Sequence, residues 1–467
     1  MNYALAIDIG ASSGRHILGW LDNGRLQTRE VYRFKNQIHT ENGRSCWDHE
    51  ALFQEILNGL AACKDLDMIP DVMAIDTWGC DYVLLDQDDN PILPGIAYRD
   101  DQHAKSAQNY LAHTGFETLY AINGLQYQPF NTLFQLAEDS RAKEARTFLM
   151  VPDYLSWKLT GKAANEYSNL STSGLLDLKN KAISPELLKH GGINPDLFAP
   201  IIRAGEPIGT LQDDLADQLG FSLDVLASPS HDTASAYFAA LCKDQIILSS
   251  GTWSLLGCLL EKPILSDQAR QANFTNEAAP DGKIRFLKNI MGLWIIQEAA
   301  RNLDNQYSFA KLVELAKEDP FEGLFDVNDP RYLKPDNMIE TIQQDFASRN
   351  LPAPQTPGQI ADCIYRSLAK STADAVCELE AITGRRFETI NIIGGGCQNE
   401  YLNELIAKQS GKPVIAGPIE ATAIGNLLSS LVGIDHENEV AEILKNSFDY
   451  KHYPAQSNKR TQETKKK

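Results

Sequence analysis

Several short stretches combine residue types that handle phosphate or sugar. In Asp8-Ile-Gly10-Ala11-Ser12-Ser13-Gly14-Arg15, Gly10 and Gly14 let backbone amides approach an anion, and the two serines add hydroxyl donors. The Lys-Ser/Thr of a P-loop is missing, and a strand follows where that motif and a dinucleotide fingerprint both need a helix. The pattern is that of a hairpin turn whose amides hold phosphate, with Asp8 at the strand end as a candidate metal contact, through water. An ordinary hairpin with a polar turn reads the same way. Ser249-Ser-Gly-Thr252 repeats the arrangement in the second half, and two such turns facing each other would clamp a polyphosphate. Gly394-Gly-Gly396 would let a flat ring lie against backbone at a helix N-terminus. A tight strand–helix turn is its plainer explanation.

His231-Asp232-Thr233 opens a helix. Asp and Thr are ordinary N-caps, and the positive end of a helix favours a negative side chain. A carboxylate there suits phosphoryl transfer, whose loose transition state asks a base mainly to orient a hydroxyl and take its proton late. His231 reads as a hydrogen-bonding neighbour rather than a base. Asp76-Thr-Trp-Gly-Cys-Asp81 and Ala97-Tyr-Arg-Asp100 mix aromatic faces with polar groups, as sugar sites require. Trp78 by itself fits a core equally well.

These residues need elements to place them. Apolar runs and turns predict a β-meander over 4–34, with turns at 10–14 and 22–24. Asp48 caps a predicted helix whose Leu52, Phe53, Ile56, Leu57 and Leu60 share one face. Val72 to Ile75 reads as a strand, 76–81 as a loop and Tyr82 to Leu85 as a strand. A strand at Val225 to Ala227 feeds a small-residue helix, Ala234 to Leu241. Strand, polar turn and strand then recur from residue 245, about 240 residues after the first unit, which points to an internal duplication of architecture. A long helix, 357–383, stops at Gly384, a good C-cap. A strand over 389–393, a helix over 399–408, a strand over 414–416 and a helix over 420–431 complete the pattern.

The 467 residues carry a net charge of −19, which argues against a nucleic-acid binder or a polybasic membrane anchor. The tail Gln456–Lys467 has no apolar residue and a net charge of +4, so the rest of the chain stands at −23. That tail reads as a disordered, solvated end. Eight cysteines without Cys-x-x-Cys or zinc spacing, no basic leader and no 18-residue apolar run predict a cytoplasmic protein with reduced, mostly buried thiols.

Asp8-Ile-Gly with Ser13 and Arg15, the second Ser-Gly-Thr turn and the late Gly-Gly-Gly resemble the FGGY carbohydrate kinases, a branch of the actin-like, ribonuclease-H-like ATPases. Asp76-Thr-Trp-Gly with Val83-Leu-Leu-Asp86, Tyr98-Arg-Asp100, Pro129-Phe-Asn-Thr132, Ser230-His-Asp-Thr-Ala234, Leu248 to Ser254, Leu287 to Trp294 and Ile393 to Asn399 are similar, in chain order, to the members that phosphorylate L-rhamnulose. The resemblance implies an α/β chain of two actin-like domains with a central cleft, 1–243 and 244–455, before the tail 456–467. It implies ATP and Mg²⁺ between the domains. It assigns ATP phosphates to Ala11, Ser12, Ser13, Gly14 and Arg15, and the nucleotide to Thr252, Gln297 and Gly395. It assigns the sugar to Gly79, His231, Thr233 and Asn289, and the catalytic base to Asp232. The partners it implies are L-rhamnulose and ATP, with no nucleic acid and no membrane, in a monomer or small homo-oligomer.

The chain departs from the pattern at Asp101-Gln-His103, at Ser171-Thr-Ser-Gly174 and in the Lys-rich tail, which bears on rim contacts and substrate preference. Two alternatives are a kinase for another ketose, L-fuculose or a xylulose, and a non-catalytic sugar or nucleotide sensor of the same fold. A sensor needs no carboxylate beside the sugar hydroxyl, and a DNA-binding one would carry a basic helix–turn–helix segment, which is not evident.

Overall fold

The computed structural model describes residues 2–455, so the basic tail lies outside the described residues. The chain forms two compact units. One comprises the chain up to Leu241, Leu259–Phe286 and Glu420–Phe448; the other comprises Cys242–Cys258, Leu287–Ile419 and the chain from Asp449 onward.

The first unit is built on a six-stranded sheet in the order Pro207–Thr210, Asp224–Leu226, Val72–Thr77, Ala4–Ile9, Ser13–Asp22, Arg25–Lys35. The expected meander is present. Ala4–Ile9 pairs antiparallel with Ser13–Asp22 and parallel with Val72–Thr77. Its two faces differ in size. Leu5, Ile7 and Ile9 pack into a core with Leu52, Phe53, Ile56, Leu57 and Leu60 of the helix His49–Asp65. Asp48 caps that helix, accepting from the Ala51 amide at 2.9 Å. Ala4 and Ala6, on the opposite face, pack with Ala423 and Leu427 of the helix Ala421–Leu431. Small side chains there let a helix approach the sheet closely, and Asp8 follows them on the same face by alternation.

The strand that carries Asp76 runs further than the sequence suggested. Thr77 is in register with Ile9, so pairing with a long neighbour carries the strand two residues past its apolar run. The helix after Asp224–Leu226 spans Asp232–Phe238, starting earlier and ending sooner than its small-residue run.

In the second unit, Ile246–Ser250 pairs antiparallel with Trp253–Leu260 and parallel with Ile390–Ile393. Val414–Ala416 adds in parallel and Lys451–Tyr453 antiparallel. An opening strand flanked by its hairpin partner and by a parallel strand is therefore common to both units. The long helix is Pro357–Thr383, capped by Thr356 and ended by Gly384 at φ 66°. No helix among the described residues is long and apolar enough to cross a membrane. All eight cysteines are free, five of them buried.

One close approach in the first unit sets the position of the helix Asp232–Phe238. A Cβ on Gly425 would lie 1.8 Å from the Ser235 carbonyl oxygen. Backbone, not a flexible tip, stands in the way. Gly425→Ala is expected to destabilise the protein by about 3 kcal/mol, the upper end for overpacking. Urea titration would measure it, and a loss under roughly 1 kcal/mol would show that the two helices separate easily.

Candidate functional site

Sheet register assembles the first part of the site. Across three adjacent strands, Arg15, Asp8 and Asp76 fall in one row. Asp8 Oδ2 accepts from Arg15 Nε at 2.9 Å and from Nη2 at 2.6 Å. Arg15 Nη1 also lies 2.9 Å from Glu420 Oε2. Asp76 Oδ2 accepts from Asn426 Nδ2 at 2.6 Å, and the same amide donates to the Ala74 carbonyl at 3.2 Å. Burial pushes Asp8 above the usual carboxylate range, more than Arg15 pulls it down. Burial, with the charge of Asp8 beside it, pushes Asp76 well above that range. Asp232 acts on both carboxylates in the same direction.

The turn that precedes Arg15 is held from two sides. Gly10 N donates to Ser13 O at 2.9 Å, while Asn36 donates from N to Ser12 O at 3.1 Å and from Nδ2 to Gly10 O at 2.9 Å. Ser12 is exposed, and Ala11 and Ser13 are half-buried. The expected phosphate residues thus sit on a fixed turn, with Arg15 engaged by two carboxylates.

Asp232 is the first residue of its helix. The N-cap position falls to His231, whose side chain makes no capping bond. Asp232 Oδ1 accepts from Thr233 N at 2.5 Å and from Thr233 Oγ1 at 3.0 Å, and His231 Nε2 lies 3.3 Å away from it. The segment before it is pinned to the sheet. Thr77 N donates to Ser230 O at 2.9 Å, and Ser228 Oγ donates to Ile75 O at 2.7 Å. Buried Glu166 gathers the rest: Oε2 accepts from Ser230 N at 3.1 Å, Ser230 Oγ at 2.8 Å and Ser168 Oγ at 2.6 Å.

Buried Asp81 organises the aromatic side. Its Oδ2 accepts from Trp47 Nε1 at 2.7 Å, Trp78 Nε1 at 2.8 Å and Tyr98 N at 3.1 Å. Trp78 packs against Trp47 with ring centres 4.3 Å apart and planes tilted by 39°, and belongs to the core. Gly79 and Cys80 are backed by Thr172, from one of the stretches that depart from the family pattern. Cys80 N donates to Thr172 Oγ1 at 3.0 Å, and a Cβ on Gly79 would lie 2.7 Å from that oxygen. The Asp101-Gln-His103 stretch leads into the helix His103–Thr114, with His103 Nε2 2.9 Å from Ala97 O.

The first unit therefore brings together Asp8, Ala11 to Arg15, Gly79, His231, Asp232 and Thr233. Thr252, Asn289, Gln297 and Gly395 belong to the second unit. There the turn after Ser250 is braced by the next segment: Leu293 N donates to Gly251 O at 2.9 Å and Trp294 N to Thr252 O at 3.2 Å. Gln297 lies one turn into the helix Trp294–Asn302. Gly396 packs so tightly on Ser250 that a Cβ would lie 2.0 Å from its Oγ, while Gly395 faces open space.

Sequence reading put Asp76 in a stretch suited to sugar and did not pair it with Asp8, although each strand carries an acid at its next-to-last position. It also missed Glu277 and Arg285: Arg285 is a charge flanked by Ile284, Phe286 and Leu287, whereas Glu277 lies in the polar strand Thr275–Ala278 and carries no such signal.

Among the described residues, no group of three or more His, Cys, Asp or Glu side chains is placed to hold a metal ion directly. Asp8 and Asp76 nevertheless suit a hydrated divalent cation. They are hard oxygen donors side by side, both raised by burial, and Asp76 Oδ1 is buried with no hydrogen-bond partner.

Asp81 gives a pH test. Burial lifts its pKa from 3.8 to about 6, against the pull of the Trp47 and Trp78 donors. A raised carboxylate pKa means that the folded state binds a proton the unfolded chain has lost, so this side chain costs stability as pH rises from about 4 through 6. Asp81→Asn keeps one acceptor oxygen and removes the charge. Relative to wild type, its stability is expected to improve by up to about 2 kcal/mol between about pH 4.5 and pH 7.5. Denaturant titrations at both pH values would show this, and a flat difference would rule it out.

Comparison with known proteins gives the same picture from other evidence. Residues 3–239 match the N-terminal domain, and residues 246–433 the C-terminal domain, of the FGGY family of carbohydrate kinases. A rhamnulokinase of Halalkalibacterium halodurans is 46% identical, covering 97% of this chain and 99% of its own. A rhamnulokinase of Bacillus subtilis is 41% identical over 96% and 94%. Among solved structures, a xylulose kinase from Lactobacillus acidophilus superposes with a TM-score of 0.81 at 16% identity, over 98% of this chain and 94% of its own. Plasmodium falciparum glycerol kinase with ADP superposes at 0.79 and 14% identity, over 100% and 96%. These two share the fold: two domains of mixed α/β content, of the actin-like ATPase type. With both of its domains matched and relatives of this identity along nearly its whole length, the chain belongs to the FGGY family of carbohydrate kinases.

Proposed function

We propose that this chain transfers the γ-phosphoryl group of ATP to the C1 hydroxyl of L-rhamnulose, forming L-rhamnulose 1-phosphate and ADP in L-rhamnose catabolism. Full-length likeness to proteins named rhamnulokinase supports the substrate. The observation that carries the chemistry is Asp232. Donors gather on its Oδ1, and no hydrogen bond is made to Oδ2 by the described residues. A carboxylate pinned at one oxygen presents the other in a defined direction. Oδ2 accepts the hydrogen bond of the sugar hydroxyl, orients its lone pair toward the phosphorus, and takes the proton as the new P–O bond forms and the bond to ADP breaks.

In this reading Gly79, His231 and Thr233 line the sugar, together with Asn289 of the second unit. The rigid turn Ala11 to Gly14 offers amides and hydroxyls to phosphate, with Arg15 as the nearby cation. Thr252, Gln297 and Gly395 take the nucleotide; the open space over Gly395 and the braced turn at Thr252 suit that role. Asp8 and Asp76 would hold Mg²⁺ through its water, which would supply charge neutralisation on the phosphates. The reaction takes place in the cytoplasm, where the free thiols stay reduced.

Asp232→Asn is expected to lower kcat by on the order of 10²–10⁴. The side chain is 34% exposed, and Asn keeps an oxygen for Thr233, so the melting temperature is expected to stay near that of wild type. Turnover equal to wild type would remove Asp232 as the base. A ketose panel read by coupled ADP release tests the substrate. L-rhamnulose is expected to show the highest kcat/KM, and L-fuculose or a xylulose in first place would overturn the assignment.

A further inference from the structure

A wholly buried ion pair stands behind the proposed base. Arg285 has no exposed side-chain surface, and its Nη2 lies 3.1 Å from Glu277 Oε2, which is also buried. Two charges taken out of water usually cost more than their attraction returns, so an apolar pair would serve packing at least as well. Arg285 is fixed further by Nε donating to Ala278 O at 2.9 Å, and its guanidinium lies 5.9 Å from the ring centre of Tyr237, on the helix that begins at Asp232. What the pair touches next is His231. Arg285 Nη2 lies 3.1 Å from His231 Nδ1, and Glu277 Oε2 lies 3.5 Å from the same nitrogen.

A guanidinium has only donors. Of the two groups beside Nδ1, Arg285 Nη2 at 3.1 Å is nearer than the acceptor Glu277 Oε2 at 3.5 Å, and the nearer contact favours Nδ1 as acceptor with the imidazole proton on Nε2. That nitrogen lies 3.3 Å from Asp232 Oδ1. We propose that Glu277 and Arg285 are positioning residues that hold His231 as its Nε2–H tautomer, so that the imidazole donates to Asp232 Oδ1 and keeps Oδ2 aimed at the sugar hydroxyl. Glu277 anchors Arg285, Arg285 occupies Nδ1, and His231 completes the set of donors begun by Thr233. No proton moves along this chain during turnover; its members fix a direction. The role rests on the reading of Asp232 as the base.

The test begins with the wild-type protein. In protein labelled with ¹⁵N-histidine, two-bond proton–nitrogen correlation spectra, assigned with His231→Gln, are expected to show the proton on Nε2 of His231. A proton on Nδ1, or on both nitrogens, overturns the proposal and needs no core variant to fold. The second step is the double variant Arg285→Met, Glu277→Gln, which removes the pair without stranding either charge. It is expected to lose the tautomer preference and to lower kcat by on the order of 10², with the KM for ATP near that of wild type. A merely structural role would lower the melting temperature and leave tautomer and kcat unchanged, which also overturns the proposal. The two readings fail differently. An Nε2 proton with Asp232→Asn fully active sinks the base but not the tautomer. An Nδ1 proton with Asp232→Asn inactive sinks the positioning role but not the base.

Discussion

Asp8 and Asp76 stand in register on adjacent parallel strands and turn their carboxylates to the same face of the sheet. Two buried like charges side by side oppose folding, and much of the first unit compensates for them. Arg15 answers Asp8 from the next strand, and Asn426 answers Asp76 from the helix that covers the face. That helix reaches the row only because Ala4, Ala6, Ala423 and Gly425 keep both surfaces thin. The same thinness brings it against the helix of Asp232. Small residues, amide and carboxylates are thus parts of one constraint: acidic groups can be dry and close together only where the neighbouring backbone comes near enough to supply donors.

Beyond that row, the unit uses buried carboxylates as hubs. Glu166 ties Ser168 and Ser230 together, and Asp81 gathers two indoles and an amide. A carboxylate accepts several hydrogen bonds at once, so one side chain can fix the relative placement of segments far apart in the chain. Neither hub has to meet substrate. Each fixes a segment next to a proposed site residue, Ser230 beside His231 and Trp78 beside Gly79.

Local physics was readable in advance. The hairpin that pairs Asp8 with Arg15, the helix capped by Asp48 and the long helix ended by Gly384 follow from apolar periodicity and turn residues. The family was readable from ordered motifs. Long-range physics was not. Asp76 entered a loop in the sequence reading because its apolar run ends at Ile75, whereas pairing with the first strand extends it. Asp232 was expected to cap its helix; the hydrogen bonds between 228–231 and the sheet extend His231 and pass the cap position to it. Thr172 behind Gly79 and Arg285 behind His231 are far from their partners in sequence, and a lone chain offers no signal that pairs them.

The division of the chain has a consequence for its synthesis. The helix that carries Gly425 and Asn426 belongs to the first unit, yet in the sequence most of the second unit's residues come between it and the strands it covers. A ribosome making the protein from its N-terminus delivers Asp8 and Asp76 early and their covering helix late. Until then the alanine face of the first sheet has no lid and Asp76 has no amide. The N-terminal unit is therefore not an early-folding module to which a second is added. Its carboxylate row closes only after most of the second unit has emerged, so a chain that stalls or is cut short of Asn426 carries the proposed base and lacks the scaffold that holds it.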